Sequence, residues 1–256
     1  MAFFVISFKN TFSYRAQVVF GIMSSFFIVW TTIALWNYVY IDDAEMKEIM
    51  VIYTILANLI SLFYSSIIAD QIATKVYNGS FAIDLLRPVS FVKINFLQAL
   101  GRTMANAVIK GVPLMILLFV IYRNYLPMIQ IQYLGISLIA ILGAIVLYLE
   151  IYSVIGFLAF RFYEIWPFRR LMDDTIRLIS GSFIPLNLFP NVLIQVSMYL
   201  PFRFLYSFPI ELLLYGNVND DIIQNLILLI IWITISGLIL FGVYRSAIKK
   251  CVVQGG

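Results

Sequence analysis

The chain of 256 residues is 62% hydrophobic and 12% charged with a net charge of +4 and a mean hydropathy of +0.97, where soluble domains carry about 25% charged residues. That balance excludes a soluble globular domain and indicates an all-α integral membrane protein. Histidine is absent and Cys251 is the single cysteine, which excludes imidazole catalysis, His-ligated metal sites, thiolate clusters and an internal disulfide.

At the start, Phe4, Phe8 and Phe12 recur every four residues while Ser7, Lys9, Asn10, Thr11 and Ser13 lie elsewhere on the wheel. Residues 1–14 therefore read as an amphipathic helix lying in the membrane interface, with an extension of the first span as the alternative. Lys9 and Arg15 interrupt the apolar run, so the segment does not read as a cleaved signal. Charge-free windows follow at Ala16–Ile41, Ile49–Ala69, Asn124–Leu149 and Ile222–Tyr244. Each reaches the roughly 20 residues that cross a hydrocarbon core of about 30 Å as a helix. Lipid offers the backbone no partners, so these windows must be helical, and none shows the alternation of a β-barrel. A third span is predicted over Thr103–Tyr122, leaving the membrane at Arg123.

Positive charge sets the orientation. The loop Asp42–Glu48 has four acids against Lys47, whereas the next loop contains Lys75, Arg87, Lys93 and Arg102. Arg161, Arg169 and Arg170, and later Arg245, Lys249 and Lys250, mark the same cytoplasmic side. The fourth span then ends inside and the last begins outside, so parity requires a fifth crossing. Its best place is Met172–Leu188, where Asp173 can pair with Arg177 one turn on. Ser180, Gly181, Ser182 and Pro185 make poor lipid-facing residues and place this span inside the bundle. Pro190, Pro201 and Pro209 break the remainder, about 189–216, into short external re-entrant helices. Six spans result, with both ends cytoplasmic, in a single membrane domain of residues 1–256.

The stretch Tyr77–Lys93 is too polar to span. Asn78-Gly79 predicts a turn and Ser80 an N-cap for a helix through Leu86, which Pro88 ends after Arg87. Ser90 is placed to cap the next helix. Phe81, Ile83, Leu85 and Leu86 form an apolar comb on this element, about 78–90. Such a peg fits a groove on a soluble partner; resting on lipid is the alternative. Within the spans stand Lys110 and Glu150, and an intramembrane charge is functional by default. The two can pair, Glu150 can face a partner subunit, or the pair is only a packing salt bridge. Gly135, Gly143 and Ala144 permit a close helix approach. There is no ATP-binding Gly-rich loop, and Asp70, Asp84, Glu164, Asp173 and Asp174 show no metal-binding spacing.

These residues resemble a family. Gly79, five residues, then Leu85-Leu86-Arg87-Pro88, with Ser180-Gly181, Pro185, Pro190 and Pro201 in order and Val252–Gly256 at the end, are similar to the permease subunits of type 2 ABC exporters. The resemblance implies that Gly79 to Pro88 form a coupling helix against two separate ABC ATPase subunits, which would hold ATP and Mg. This chain would then be a transport subunit, not an enzyme, without cofactor or nucleic-acid partner. It would pair with a second permease, identical or paralogous, in the plasma membrane. Its cavity, between the first, second and fifth spans, would export an amphipathic or hydrophobic compound such as a drug, peptide or lipid-linked molecule. The competing readings are a self-sufficient secondary transporter or channel using Glu150 and Lys110, and a membrane-embedded enzyme acting on lipid.

Overall fold

The structure, a computed structural model, describes residues 2–12, 15–121, 127–216 and 222–250. The predicted exit at Arg123, Cys251 and the Val252–Gly256 terminus lie outside these residues. Among them every regular element is helical. After α1 (Ala2–Phe12), three rods are long and apolar enough to cross a bilayer by themselves: within α2 (Arg15–Val39), across α8 (Leu134–Phe157) with its flanking turns, and within α12 (Ile222–Lys250).

The remaining predicted spans are interrupted. The second stops at the end of α3 (Ala44–Ser61) and resumes as α4 (Ile67–Tyr77). Ser61 Oγ donates to the Asn58 carbonyl, one of the local bonds by which serine competes with a helix backbone. The third starts earlier than Thr103, at α6 (Phe91–Asn106), and runs through a π-turn (Ala107–Gly111) into α7 (Val112–Ile121). Pro113 explains the π-turn: it has no N–H for the Ile109 carbonyl, and its ring pushes that carbonyl aside. Lys110 sits in this widened turn.

The fifth predicted span, Met172–Leu188, is corrected most. Helix α9 runs from Trp166 to Ile179, about 21 Å at 1.5 Å per residue, and ends where Gly181 adopts a φ of 81°. A turn at Leu186–Leu188, α10 (Asn191–Tyr199), a turn at Pro201–Leu205 and α11 (Ser207–Leu214) follow. Pro209 does not break a helix; it lies in the first turn of α11, where an N–H is unpaired anyway. Irregular backbone inside a membrane domain persists only where its polar groups find partners. Here Tyr53 Oη donates to the Gly181 carbonyl at 2.6 Å and the Ser207 N–H to the Ser180 carbonyl at 3.0 Å. Tyr64 Oη serves Leu205 at 2.5 Å, Ser137 Oγ serves Pro209 at 2.9 Å, and Trp232 Nε1 serves Tyr199 at 3.0 Å.

Helix α8 is the axis of the core, packed by α4, α11 and α12. Small residues permit this: a Cβ on Gly156 would lie 2.9 Å from the Ala69 carbonyl, and one on Gly143 would lie 2.9 Å from Leu229. Gly135, expected to join Gly143 in a close approach, has no such neighbour. α1 packs along α6, with Gly101 beneath the Phe4 carbonyl. Helix α1 is thus clamped to the bundle, with Ser7 buried and Val5 and Ile6 facing out.

Candidate functional site: adjoining polar cavities and a short helix on the polar loop

The helix breaks open a cavity of 480 Å³ between α2, the Leu62–Ser66 turn, α6, α8 and α9. The expected wall of first, second and fifth spans is therefore joined by the third and fourth. Its aromatic side is a tyrosine stack: Tyr64 lies on Tyr148 at 4.9 Å and Tyr148 on Tyr152 at 4.3 Å, with Tyr206 edge-on to Tyr64 at 5.2 Å. The Tyr152 hydroxyl donates a hydrogen bond to Asp173 Oδ1. This corrects the predicted Asp173–Arg177 pair: the acid turns toward α8, while Arg169 reaches Asp70 and Arg170 reaches Asp174.

A second cavity, of 440 Å³, lies between α1, α2, α4 and α6 and is lined by Ser7, Asn10, Thr11 and Arg102. Ile67, Asn106 and Lys110 line both cavities. Lys110 reaches this position over Gly21, where a Cβ would fall 2.8 Å from Lys110 Cε. The Lys110–Glu150 pair does not form. Glu150 points from α8 toward α12, accepts a hydrogen bond from Ser236 Oγ, and lies where a Cβ on Gly237 would be 3.1 Å from its Oε1. The two charges face different helices, α2 and α12, and each meets its own neighbours.

A third cavity, of 360 Å³, lies beneath Pro185 and Leu186 and contains Arg203 and Glu211. Arg203, in the segment 189–216 read as external re-entrant helices, is buried and pairs with Glu211 at 3.3 Å. Ser207 Oγ also donates to Glu211. The residues of the Ser-Gly and proline pattern do not gather into one site. Ser180 and Gly181 end α9, Pro185 lines this cavity, Pro190 precedes α10, and Pro201 opens a turn.

On the polar loop, α5 spans Ser80–Leu85. The residue before it is Gly79 at φ 73°, a conformation glycine takes without strain. Ser80 is not the cap. It occupies the first helical position, and its N–H and hydroxyl both donate to Asn78 Oδ1, at 3.1 and 2.7 Å. Ser90 precedes α6 without a side-chain cap bond.

The apolar comb splits between two faces. Phe81 is 1% exposed and meets Phe91 and Phe160 edge-on, with centroids at 4.7 and 5.1 Å, and Leu85 packs on the same core. Ile83 and Leu86 face out, at 62% and 86% exposure. Asp84, which sequence reasoning passed over as a scattered acid, is the buried joint. It takes Lys75 Nζ at 2.9 Å and Arg87 Nε at 3.3 Å. Arg87 is therefore held beside Asp84, just before Pro88, and its i,i+3 spacing was the available signal. Lys75 also donates to Asn95 at 3.1 Å and lies over the Phe91 ring, so one cation ties α4, α5 and α6. At the end of α4, Tyr77 donates to the Phe162 carbonyl at 3.2 Å. Burial first, then Glu164 and Tyr163, hold its hydroxyl above the usual range.

The family model described as ABC-2 family transporter protein matches residues 20–255, which takes in α5 and the whole lining of the 480 Å³ cavity but leaves out the α1 wall and Val18 of the 440 Å³ one. Comparison with curated proteins gives no match.

Proposed function

This chain belongs to the ABC-2 family of transporter proteins, and on that premise we propose that it is the permease subunit of an ATP-binding-cassette exporter. Two separate ATPase subunits supply ATP and Mg chemistry, and a second permease, identical or paralogous, completes the path. The chain crosses the plasma membrane six times with both ends cytoplasmic, and it hydrolyses no ATP itself. Its cargo is an amphipathic or hydrophobic compound.

The observation that carries this reading is the divided face of α5. Phe81 anchors the peg in its own bundle while Ile83 and Leu86 stand in the open, as docking into a partner groove requires. Displacement of α5 reaches the path along two rods. Through Lys75 and Asp84 it moves α4, whose far end meets the Leu62–Ser66 turn of the cavity wall. Through Phe81 and Phe91 it moves α6, which ends beside Lys110. A carrier coupled by a Glu150–Lys110 pair lacks that pair.

The test is Leu86→Asp. A charge pressed into an apolar groove should weaken docking by about 2 kcal/mol or more through desolvation. Purified permease should keep its helix content yet lose co-purifying ATPase, or keep it with hydrolysis no longer raised by cargo. Normal transport with the ATPase still bound would reduce α5 to a helix resting on lipid.

A further inference from the structure

We propose that the two adjoining cavities, which share Ile67, Asn106 and Lys110 as a common wall, receive an amphiphile bearing an anionic group, a phosphate or carboxylate, with Arg102 as the entry contact and Lys110 as the contact between the cavities. The inference deepens the permease reading and rests on it for direction and for the side of entry.

Four observations converge. First, the charges are unbalanced: Arg102, Lys110 and Arg177 line the pair of cavities against the single acid Asp173, whose carboxylate is engaged by Tyr152. Second, neither inner cation forms a salt bridge among the described residues. Arg102 faces the side-chain amide of Gln71, whose oxygen accepts from the guanidinium once the amide is turned toward it, a neutral partner that leaves the charge in place. An uncompensated cation within a membrane domain is costly, and a bound anion removes that cost.

Third, the protein makes room for the lysine. Gly21 leaves the space that the Lys110 stem occupies, and the π-turn before Pro113 places Lys110 on both cavity walls. π-turns of this kind recur at functional sites. Fourth, the lining is amphipathic. Ser7, Asn10, Thr11 and Asn106 surround the cations with hydrogen-bonding groups, while Val18, Ile67 and Ile109 offer apolar surface to a tail. Helix α1 forms one wall, and on that same helix Val5 and Ile6 are exposed, an apolar surface on which such a molecule can rest.

The experiment uses the full chain in phosphatidylcholine nanodiscs, without ATPase, and radiolabelled dodecyl phosphate as probe. Saturable binding is expected, weakened tenfold or more by Lys110→Gln and by Arg102→Gln and preserved by Lys110→Arg. Gly21→Leu, which alters no charge but displaces the lysine stem, should weaken it too, with folding checked by circular dichroism and gel filtration. Dodecyltrimethylammonium and inorganic phosphate should compete poorly. Discs containing phosphatidic acid separate the sources of the anionic group: competition assigns a membrane lipid, and its absence assigns a water-borne amphiphile. Unchanged affinity in both glutamine variants, or equal competition by the cationic detergent, would overturn the proposal. Equal competition by inorganic phosphate would also overturn it, by showing an ion site indifferent to a tail. Because the assay contains no ATPase, a failure of α5 docking leaves its result intact, and a failure here leaves the docking test intact.

Discussion

Asp84 shows how one buried acid sets the geometry of a short element on the polar loop. Its side chain is 8% exposed, against 22% for Lys75 and 48% for Arg87. Losing the acid strands two cations, but both reach water, so the cost lies nearer surface pairs than buried ones. Asp84→Asn is expected to lower permease stability by about 1 to 2 kcal/mol, read from thermal unfolding in detergent. It should impair transport more than stability, because it frees α5 from α4. A variant that transports normally would show that the Phe81 contact suffices. Glu150 makes the opposite case. Ser236 has a second acceptor in the Ile233 carbonyl at 3.2 Å, so Glu150→Leu leaves no orphaned hydroxyl. Glu150→Gln and Glu150→Leu should both assemble, with unfolding shifts of about 1 kcal/mol or less. Loss of assembly in both would reveal a partner for Glu150 beyond this chain.

At the scale of elements, α5 makes a separable prediction. Phe81→Ala removes a fully buried ring and should destabilise the isolated permease by about 3 to 5 kcal/mol. Leu86→Ala should leave it unchanged and reduce only ATPase co-purification. Equal effects of the two on unfolding would mean that Leu86 is covered within the permease. The two faces were legible in hindsight: Phe81 and Leu85 are four apart and Ile83 and Leu86 three apart, whereas reading all four as one comb ignored the helical period. The uninterrupted rods α2 and α12 were legible because a charge-free window and a crossing helix are nearly the same observation; α8 was legible as a span but not in its bounds, because its window Asn124–Leu149 stops before Glu150 while the helix runs Leu134–Phe157. The breaks were not. Their stability depends on acceptors and donors far away in sequence, Tyr53 to Gly181 and Tyr64 to Leu205, which no local pattern records. The polar cavities share this property. Lys110 was visible as an odd charge, but its passage over Gly21 and its distance from Glu150 are facts of helix packing.

For the whole molecule, the proposed orientation rests on the asymmetry of charge: Lys75, Arg87, Lys93, Arg161, Arg169 and Arg170 against the acids Asp42, Asp43, Glu45 and Glu48. Lys and Arg near span ends hold their loops in the cytoplasm. The structure also shows where reporters can be placed. Gly216 is unsuitable, because it has a φ of 66° and a Cβ there would lie 2.6 Å from Tyr133. Glu45 and Gln132 are exposed at one end of their helices, and Tyr163, 92% exposed, and Lys249 at the other. In a Cys251→Ser background, single cysteines at Glu45 and Gln132 should react with a membrane-impermeant thiol reagent added to intact cells. Cysteines at Tyr163 and Lys249 should react only after the membrane is opened. The pairs test different crossings: Glu45 and Tyr163 bracket the second to fourth, while Lys249 reports on the last. Labelling of Tyr163→Cys from outside would invert the permease and remove α5 from any cytoplasmic ATPase. Labelling of Lys249→Cys alone would leave α5 in place and show instead that the short helix α9, with the turns after it, does not complete a crossing.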